Sequence, residues 1–389
     1  MKKLGCFIFA TLLLLFPLTY LSVGAKEVKT QTVDTAYTLN LNAKSAFLMD
    51  YTTGTVLYEQ NADERLPLAS VTKIMTLLLV MEAIQDGRLS LNETVTVSEH
   101  AASMGGSQIF LEPGEKMSVE DLLKSVVISS ANDAACALAE HIAGSEEAFV
   151  SAMNQKAKML GMNDTNFENT NGLDDTATEH YSSARDIAVM SRALMAHPKI
   201  LEYSSIWMDT IRDGAFGLSN TNRLIRFYPG ATGLKTGSTE KAKFCISATA
   251  LRNGMHLIAV VMGAETRDIR NAETKKLLDY GFANYGLYTS EVPLLDPIKV
   301  LGGTKEEIKV EAENFAAIIG KGDAKNVTVK ITLEESLNAP ITAGQAVGSV
   351  SFFADGKLIG KCNIVTKETV EKISYTQLLY RMVKSFLFP

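Results

Sequence analysis

Chemistry that depends on soft or redox-active ligands finds little to work with in this sequence. Four cysteines, Cys6, Cys136, Cys245 and Cys362, are spread over 389 residues with no C-x-x-C pair, a spacing that excludes a disulfide framework. The five histidines (His100, His141, His180, His197 and His256) are equally scattered, and none belongs to an H-E-x-x-H pattern. They read as structural or surface residues, so neither metal chemistry nor a Ser-His-Asp triad is supported. A basic excess is also missing: 38 Lys and Arg stand against 44 Asp and Glu, a formal charge of −6. Nucleic-acid binding needs clustered cations and is excluded on that balance. Internal repeats and low-complexity tracts are absent too, which removes solenoid architectures.

What is present is enough apolar material for packed cores. The chain is 46% hydrophobic, and its length exceeds the roughly 100–200 residues of one domain, so two domains with accessory segments are expected. Residues 1–25 start with Lys2 and Lys3, continue through an apolar stretch interrupted by Pro17, and end on Val23, Gly24 and Ala25. That is the layout of a secretory signal peptide cleaved after Ala25. Losing those two lysines takes the formal charge from −6 to −8, since no other charged residue lies in the stretch.

Residues 26–39 are polar and read as a flexible lead-in. "SAFLMDYTTGTVLYEQN" has two apolar runs about Thr52, Thr53 and Gly54, a hairpin signal. Residues 70–85 form a buried helix. A second helical stretch runs from Ser118, with Asp121 three residues on as a capping-box-like start, to Gly144. Amphipathic helices follow at 146–160 and 183–196, the latter opened by Ser182 or Ser183. Three strand-like runs come next, the last two joined by Asn253-Gly254 as a hairpin turn, and a helix over 269–285 closes the unit. Residues 40–288 are therefore expected to be an α/β (α+β) domain, an antiparallel sheet covered by helices. From 290 to 372 short alternating strands with Gly and Asp turns predict a small all-β domain.

The chemistry centres on "LPLASVTKIMTLLLV", where Ser70 and Lys73 stand three apart and so share a helix face. Ile74, Leu77 and Leu78 would desolvate the amine, lowering its pKa and letting its neutral form accept a proton. A serine hydroxyl needs such a base to become a nucleophile, and a helix start favours the negative charge that develops. S-x-x-K alone is cheap; Ser238 to Lys241 is a second match, in an exposed and charged setting. Specificity comes from company. Ser130-Ala131-Asn132 lies in the predicted helical stretch and Lys235-Thr236-Gly237 on a predicted strand, in the order S-x-x-K, S-x-N, K-T-G.

That motif set belongs to class A β-lactamases and penicillin-binding proteins. The chain resembles the low-molecular-mass penicillin-binding proteins, specifically the secreted serine D-alanyl-D-alanine carboxypeptidases (peptidase family S11) with an added C-terminal β domain. "NTNGLDD", "HYSSARDIAVMSRAL", "YPGATGLKTGSTEKA" and "VVMGAE" share that family's phrasing. Lys243 departs from it, where a glycine is expected after Ala242. The resemblance implies a serine D,D-carboxypeptidase that removes the terminal D-alanine of peptidoglycan stem pentapeptides and binds β-lactams covalently, without cofactor or metal. It implies Ser70 as nucleophile, Lys73 as general base and Ser130 as proton relay to the leaving nitrogen. Asn132 would bind the substrate backbone. Lys235 and Thr236 would receive the terminal carboxylate, Gly237 would let the substrate lie close, and Ser70 and Ser238 would donate N–H groups to the oxyanion.

Three alternatives remain: a β-lactamase, with Glu168 the only tempting deacylation base; a D,D-endopeptidase acting through the same serine; and a catalytically silent peptidoglycan-binding scaffold. In the tail, Ile373, Leu378, Leu379, Met382, Val383, Phe386 and Leu387 recur near a helical period, opposite Gln377, Arg381, Lys384 and Ser385. Residues 373–389 thus predict an amphipathic helix too short and charged to span, suited to lying on an anionic membrane. The resemblance implies the same, a peripheral anchor on the outer face of the cytoplasmic membrane.

Overall fold

The computed structural model describes residues 39–290, 292 and 294–387, and of residue 385 the backbone alone. The expected signal peptide and nearly all of the lead-in lie outside the described residues. Leu39, at the end of that lead-in, is buried and its carbonyl accepts a 2.6 Å hydrogen bond from Tyr58.

The hairpin Ser45–Asp50 and Val56–Gln60 and the three-strand meander Ala231–Thr239, Lys243–Arg252 and Met255–Ala264 form one antiparallel sheet. Every residue of Met255–Ala264 is buried, because this central strand is covered on both faces and has no use for polar alternation. Helices from the middle of the chain pack on one face; the Arg267–Asn284 helix, capped by Thr266, closes the other. The strand that carries Lys235, Thr236 and Gly237 is at the edge of the sheet. The Asn253-Gly254 turn has φ values of 50° and 80°, the left-handed pair a two-residue hairpin requires.

Helix α1, Lys73–Gln85, is apolar nearly all round and buried, preceded by a 3-10 turn at Ala69–Thr72. Further helices are α2 (Glu99–Ala102), α3 (Val119–Lys124), α4 (Asn132–Ala143), α5 (Glu146–Met159) and α6 (Ala184–Met195). Ser118 and Ser183 cap α3 and α6 through the N–H groups of Asp121 and Asp186.

The helix expected to run unbroken from Ser118 to Gly144 is interrupted. After α3 the chain widens into a π turn at Ser125–Ser129, Ser130 adopts a left-handed φ of 64°, and α4 starts at Asn132. The Asn132 N–H leaves the helix ladder for the carbonyl of Ser107, and the buried Asp133 carboxylate accepts from the N–H groups of Ile109 and Leu111. A neighbouring loop thus competes successfully for the backbone, and no Gly or Pro marks the break.

Beyond the sheet, Tyr285–Thr289 pairs with Ala316–Gly320. A four-stranded and a three-stranded sheet then enclose a core of Ile298, Val300, Ile308, Leu337, Val350, Phe352 and Ile364, an all-β region as expected. The C-terminal helix Tyr375–Leu387 follows. Its Arg381 donates to the carbonyl of Thr304 at 2.8 Å, while Leu379, Met382, Phe386 and Leu387 are exposed. Among the described residues no helix is long and apolar enough to cross a membrane.

Candidate active site

The 3-10 turn places Ser70 and Lys73 in contact: Lys73 Nζ lies 2.9 Å from Ser70 Oγ. The amine is completely buried and donates to Asn132 Oδ1 at 2.5 Å and to the Asn171 carbonyl at 2.7 Å. Burial first, and then the nearby Lys235 cation, hold its pKa well below that of a free lysine. A neutral amine has two N–H groups and one lone pair. With both N–H groups committed to the two carbonyl oxygens, the lone pair is left facing Ser70 Oγ.

The turn itself is strained and braced. Ala69, just before Ser70, has a φ of 49°. Its carbonyl accepts from Thr72 Oγ1 at 2.7 Å, and Thr72 Oγ1 lies 2.7 Å from His180 Nε2. The Glu168 N–H donates to His180 Nδ1, so the ring proton must sit on Nε2 and donate to Thr72. Burial pushes the His180 pKa down to about 4. A side chain on Gly172 would come within 1.9 Å of the Ala69 oxygen, so glycine is required there.

The two other motifs converge on the same place. The left-handed backbone of Ser130 directs its hydroxyl to Lys235 Nζ, 2.8 Å away. Lys235 is buried, and desolvation together with the Arg270 charge lowers its pKa to about 7. Thr236 Oγ1 donates to Thr221 Oγ1 at 2.7 Å. Gly237 packs directly on the nucleophile's turn: an added Cβ would stand 2.8 Å from the N of Ser70 and 2.9 Å from that of Val71.

A cleft of about 370 Å³ opens over this floor, lined in part by Ser70, Ser130, Thr236, Gly237 and Ser238. Lys73, Asn132 and Lys235 are buried beneath it. Asn132 spends its amide within the protein, on Lys73 and on the Gly105 carbonyl. Sequence reasoning missed Asn171, Thr72 and Thr221 as partners, and Arg223, Arg267 and Arg270 as lining residues. Thr72 stands at an x position of S-x-x-K and Asn171 in "NTNGLDD", where neither carried a role, and the others sit in no motif. The lining has three arginines and no carboxylate, so the cleft is cationic on a protein that is acidic overall.

Glu168 does not line the cleft; its carboxylate accepts from the Thr178 N–H. Lys243, paired with Thr239 where the strand resumes after the three-residue turn, has a φ of 56°, which is why a glycine would be at ease there.

A cleft-lining serine bonded to a buried lysine, a second serine bonded to a second lysine, and a glycine-bearing edge strand beside them define a serine acyl-transfer enzyme of the penicillin-recognising class. The D-alanyl-D-alanine carboxypeptidase family matches residues 29–266, and the penicillin-binding protein 5 C-terminal domain matches residues 290–372. The chain belongs to the D-alanyl-D-alanine carboxypeptidase family, peptidase S11. It is 43% identical over 367 residues to D-alanyl-D-alanine carboxypeptidase DacF of Bacillus subtilis, covering 92% of this chain and 93% of that one. To D-alanyl-D-alanine carboxypeptidase DacC of Escherichia coli it is 38% identical, covering 86% and 85% of the two chains. The crystal structure of penicillin binding protein 5 from Haemophilus influenzae superposes with a TM-score of 0.76 at 33% identity, covering 87% of this chain and all of that one.

Proposed function

We infer that this protein is a serine D,D-carboxypeptidase that removes the terminal D-alanine from peptidoglycan stem pentapeptides. The observation that carries the reading is the aim of the Lys73 lone pair at Ser70 Oγ, fixed by Asn132 and Asn171. Lys73 takes the Ser70 proton as Oγ attacks the carbonyl between the two D-alanines. Ser130, bonded to Lys235, passes its proton to the leaving nitrogen and regains one from the Lys73 ammonium, which returns the base to its neutral form. N–H groups of Ser70 and Ser238 meet the oxyanion, a contribution of roughly 3–4 kcal/mol per donor in acyl transfer. Lys235 and Thr236, with Arg267 and Arg270 nearby, attract the terminal carboxylate. Asn132 serves first by positioning Lys73 and second as a candidate contact to substrate. Water then releases the acyl group.

A β-lactam presents the same acyl centre, so the same serine is acylated; the solved structure of penicillin-binding protein D2 from Listeria monocytogenes is an ampicillin-bound form, 36% identical and covering 63% of this chain. The β-lactamase reading is disfavoured because Glu168 caps its own loop.

We further propose that 40–288 is the catalytic domain, 290–372 a β-rich stalk, and 373–389 a peripheral anchor on the outer face of the cytoplasmic membrane. With Arg381 turned to Thr304, the helix presents its apolar side outward.

Mass spectrometry of a synthetic pentapeptide ending in D-Ala-D-Ala should show loss of one alanine with wild type and none with Ser70→Ala. A crosslinked muropeptide in parallel separates endopeptidase action. Fluorescent penicillin should label wild type alone. Label retained by Ser70→Ala, or moved to Ser238, overturns the assignment, and an unlabelled wild type favours the scaffold.

A further inference from the structure

Remote from the cleft, three ligand-type side chains that sequence spacing does not connect are brought together by helix packing. His100 is on α2, and Cys136 and Glu140 are on one face of α4, four residues apart. One ring nitrogen of His100, the Cys136 sulfur and a Glu140 oxygen all lie within 4.8 Å of one another. We propose that His100, Cys136 and Glu140 form a zinc site, with water in the fourth position, that braces α2 against α4.

The donor set points to this metal class. Thiolate, imidazole and carboxylate together suit Zn²⁺, with bonds of roughly 2.0–2.3 Å, and are a poor set for the hard, oxygen-preferring Ca²⁺ and Mg²⁺. Small side-chain rotations bring atoms at this separation onto a common ion.

The supporting contacts are those that metal sites use. Glu146, at the start of α5, has one oxygen 2.9 Å from His100 Nε2, and also interacts with the Cys136 thiol. Such a carboxylate fixes the orientation of an imidazole ligand. Glu140 accepts from Ser98 Oγ, the residue that caps α2. Glu146's other oxygen accepts from both the N–H and the hydroxyl of Thr170, the residue before Asn171. The brace therefore stands one residue from the carbonyl that holds Lys73.

Electrostatics favour a cation here. Glu140, Glu146 and Glu147 surround a single histidine. On binding, the Cys136 thiol proton leaves to solvent as the sulfur–metal bond forms. The His100 side chain is 51% exposed, which gives an ion its route from solvent to the otherwise buried sulfur.

The test is titration of Co²⁺, then Zn²⁺, into the metal-stripped full chain. One equivalent of Co²⁺ should bind with an intense near-ultraviolet thiolate charge-transfer band, and Zn²⁺ should displace it. Cys136→Ser should abolish the band, although Cys245 and Cys362 remain. His100→Ala, a change at an exposed position, should weaken Zn²⁺ binding at least about 100-fold. Zn²⁺ should raise the melting temperature of wild type and leave that of Cys136→Ser unchanged. Less than one equivalent bound, a band that survives Cys136→Ser, or equal thermal shifts in both proteins overturns the site. None of these readouts depends on peptidase activity.

Discussion

Lys235 Nζ and Ser130 Oγ, 105 positions apart in sequence, are 2.8 Å apart at the bottom of the cleft. The bond joins the edge strand to the break between α3 and α4, so each motif holds the other in place. It also gives Lys235 two possible duties, carboxylate attraction and support of Ser130. Lys235→Gln should lower turnover of peptides with a free terminal carboxylate by about 30-fold or more, the scale for removing one partner of a buried charged pair. A C-terminally amidated peptide should lose less. Equal losses in kcat/KM on both substrates would leave Lys235 with the proton-transfer duty alone.

Lys73 is expected to act as a neutral base. Its pKa is lowered by burial and by Lys235, so the acid limb of the acylation rate should lie far below the pH at which a free lysine titrates. Lys73→Arg keeps the charge and removes the base, because guanidinium stays protonated. Penicillin acylation should fall by roughly 100- to 10,000-fold, the usual range for loss of a general base. Stopped-flow acylation across pH checks both statements; near-normal rates in Lys73→Arg would mean that the lysine is only a fixed charge.

His180 links stability to acidity. Its folded pKa of about 4 lies below the ordinary histidine value of 6.5, so between those values the unfolded chain takes up a proton that the folded chain refuses. His256, also buried and lowered to about 4, adds in the same direction. Stability should be full above pH ~6.5 and decline as pH falls towards 4. In His180→Gln, whose amide can still donate to Thr72, thermal melts should show a shallower decline over that window. A slope identical to wild type would place the acid sensitivity elsewhere.

Deleting 373–389 should release active enzyme from membranes with unchanged pentapeptide turnover. The deletion removes the exposed apolar side of the Tyr375–Leu387 helix, and with it the Ile373 N–H bond to the Gly302 carbonyl and the Arg381 contacts to Gly303, Thr304 and Glu306 of the β region. Flotation with anionic vesicles measures the change. A truncated, signal-free protein that still floats would remove the anchoring role.

Much of this architecture was legible because local chemistry announces it. Ser118 and Ser183 read as caps, Asn253-Gly254 as a hairpin turn, and the alternation after residue 290 as strands, and each is observed as such. Ser70, Lys73, Ser130 and Lys235, paired by the hydrogen bonds Lys73–Ser70 and Lys235–Ser130, were singled out because short motifs name them. What stayed hidden depends on tertiary competition. The break at Ser130 follows from Ser107 taking an N–H from α4, and no residue type signals it. The Asn171 carbonyl beside Lys73 and the His180 link to Thr72 come from a segment 98 and 108 residues downstream of those partners. Gly237 was expected to make room for substrate; its tightest constraint is the backbone of Leu68, Ser70 and Val71.

The Ala231–Thr239 edge has a consequence for solubility. An unpaired strand edge is a template on which another sheet can grow. Here the short helices Lys199–Ser204 and Leu224–Phe227 pack against this strand, and the Thr236–Ser238 segment opens on a cleft ringed by Arg223, Arg267 and Arg270. Two copies approaching edge to edge would bring these arginine sets together in like-charge opposition. The same cations proposed to draw in an anionic peptide thus place like charge beside an open sheet edge, one of the ways proteins blunt edge-to-edge pairing.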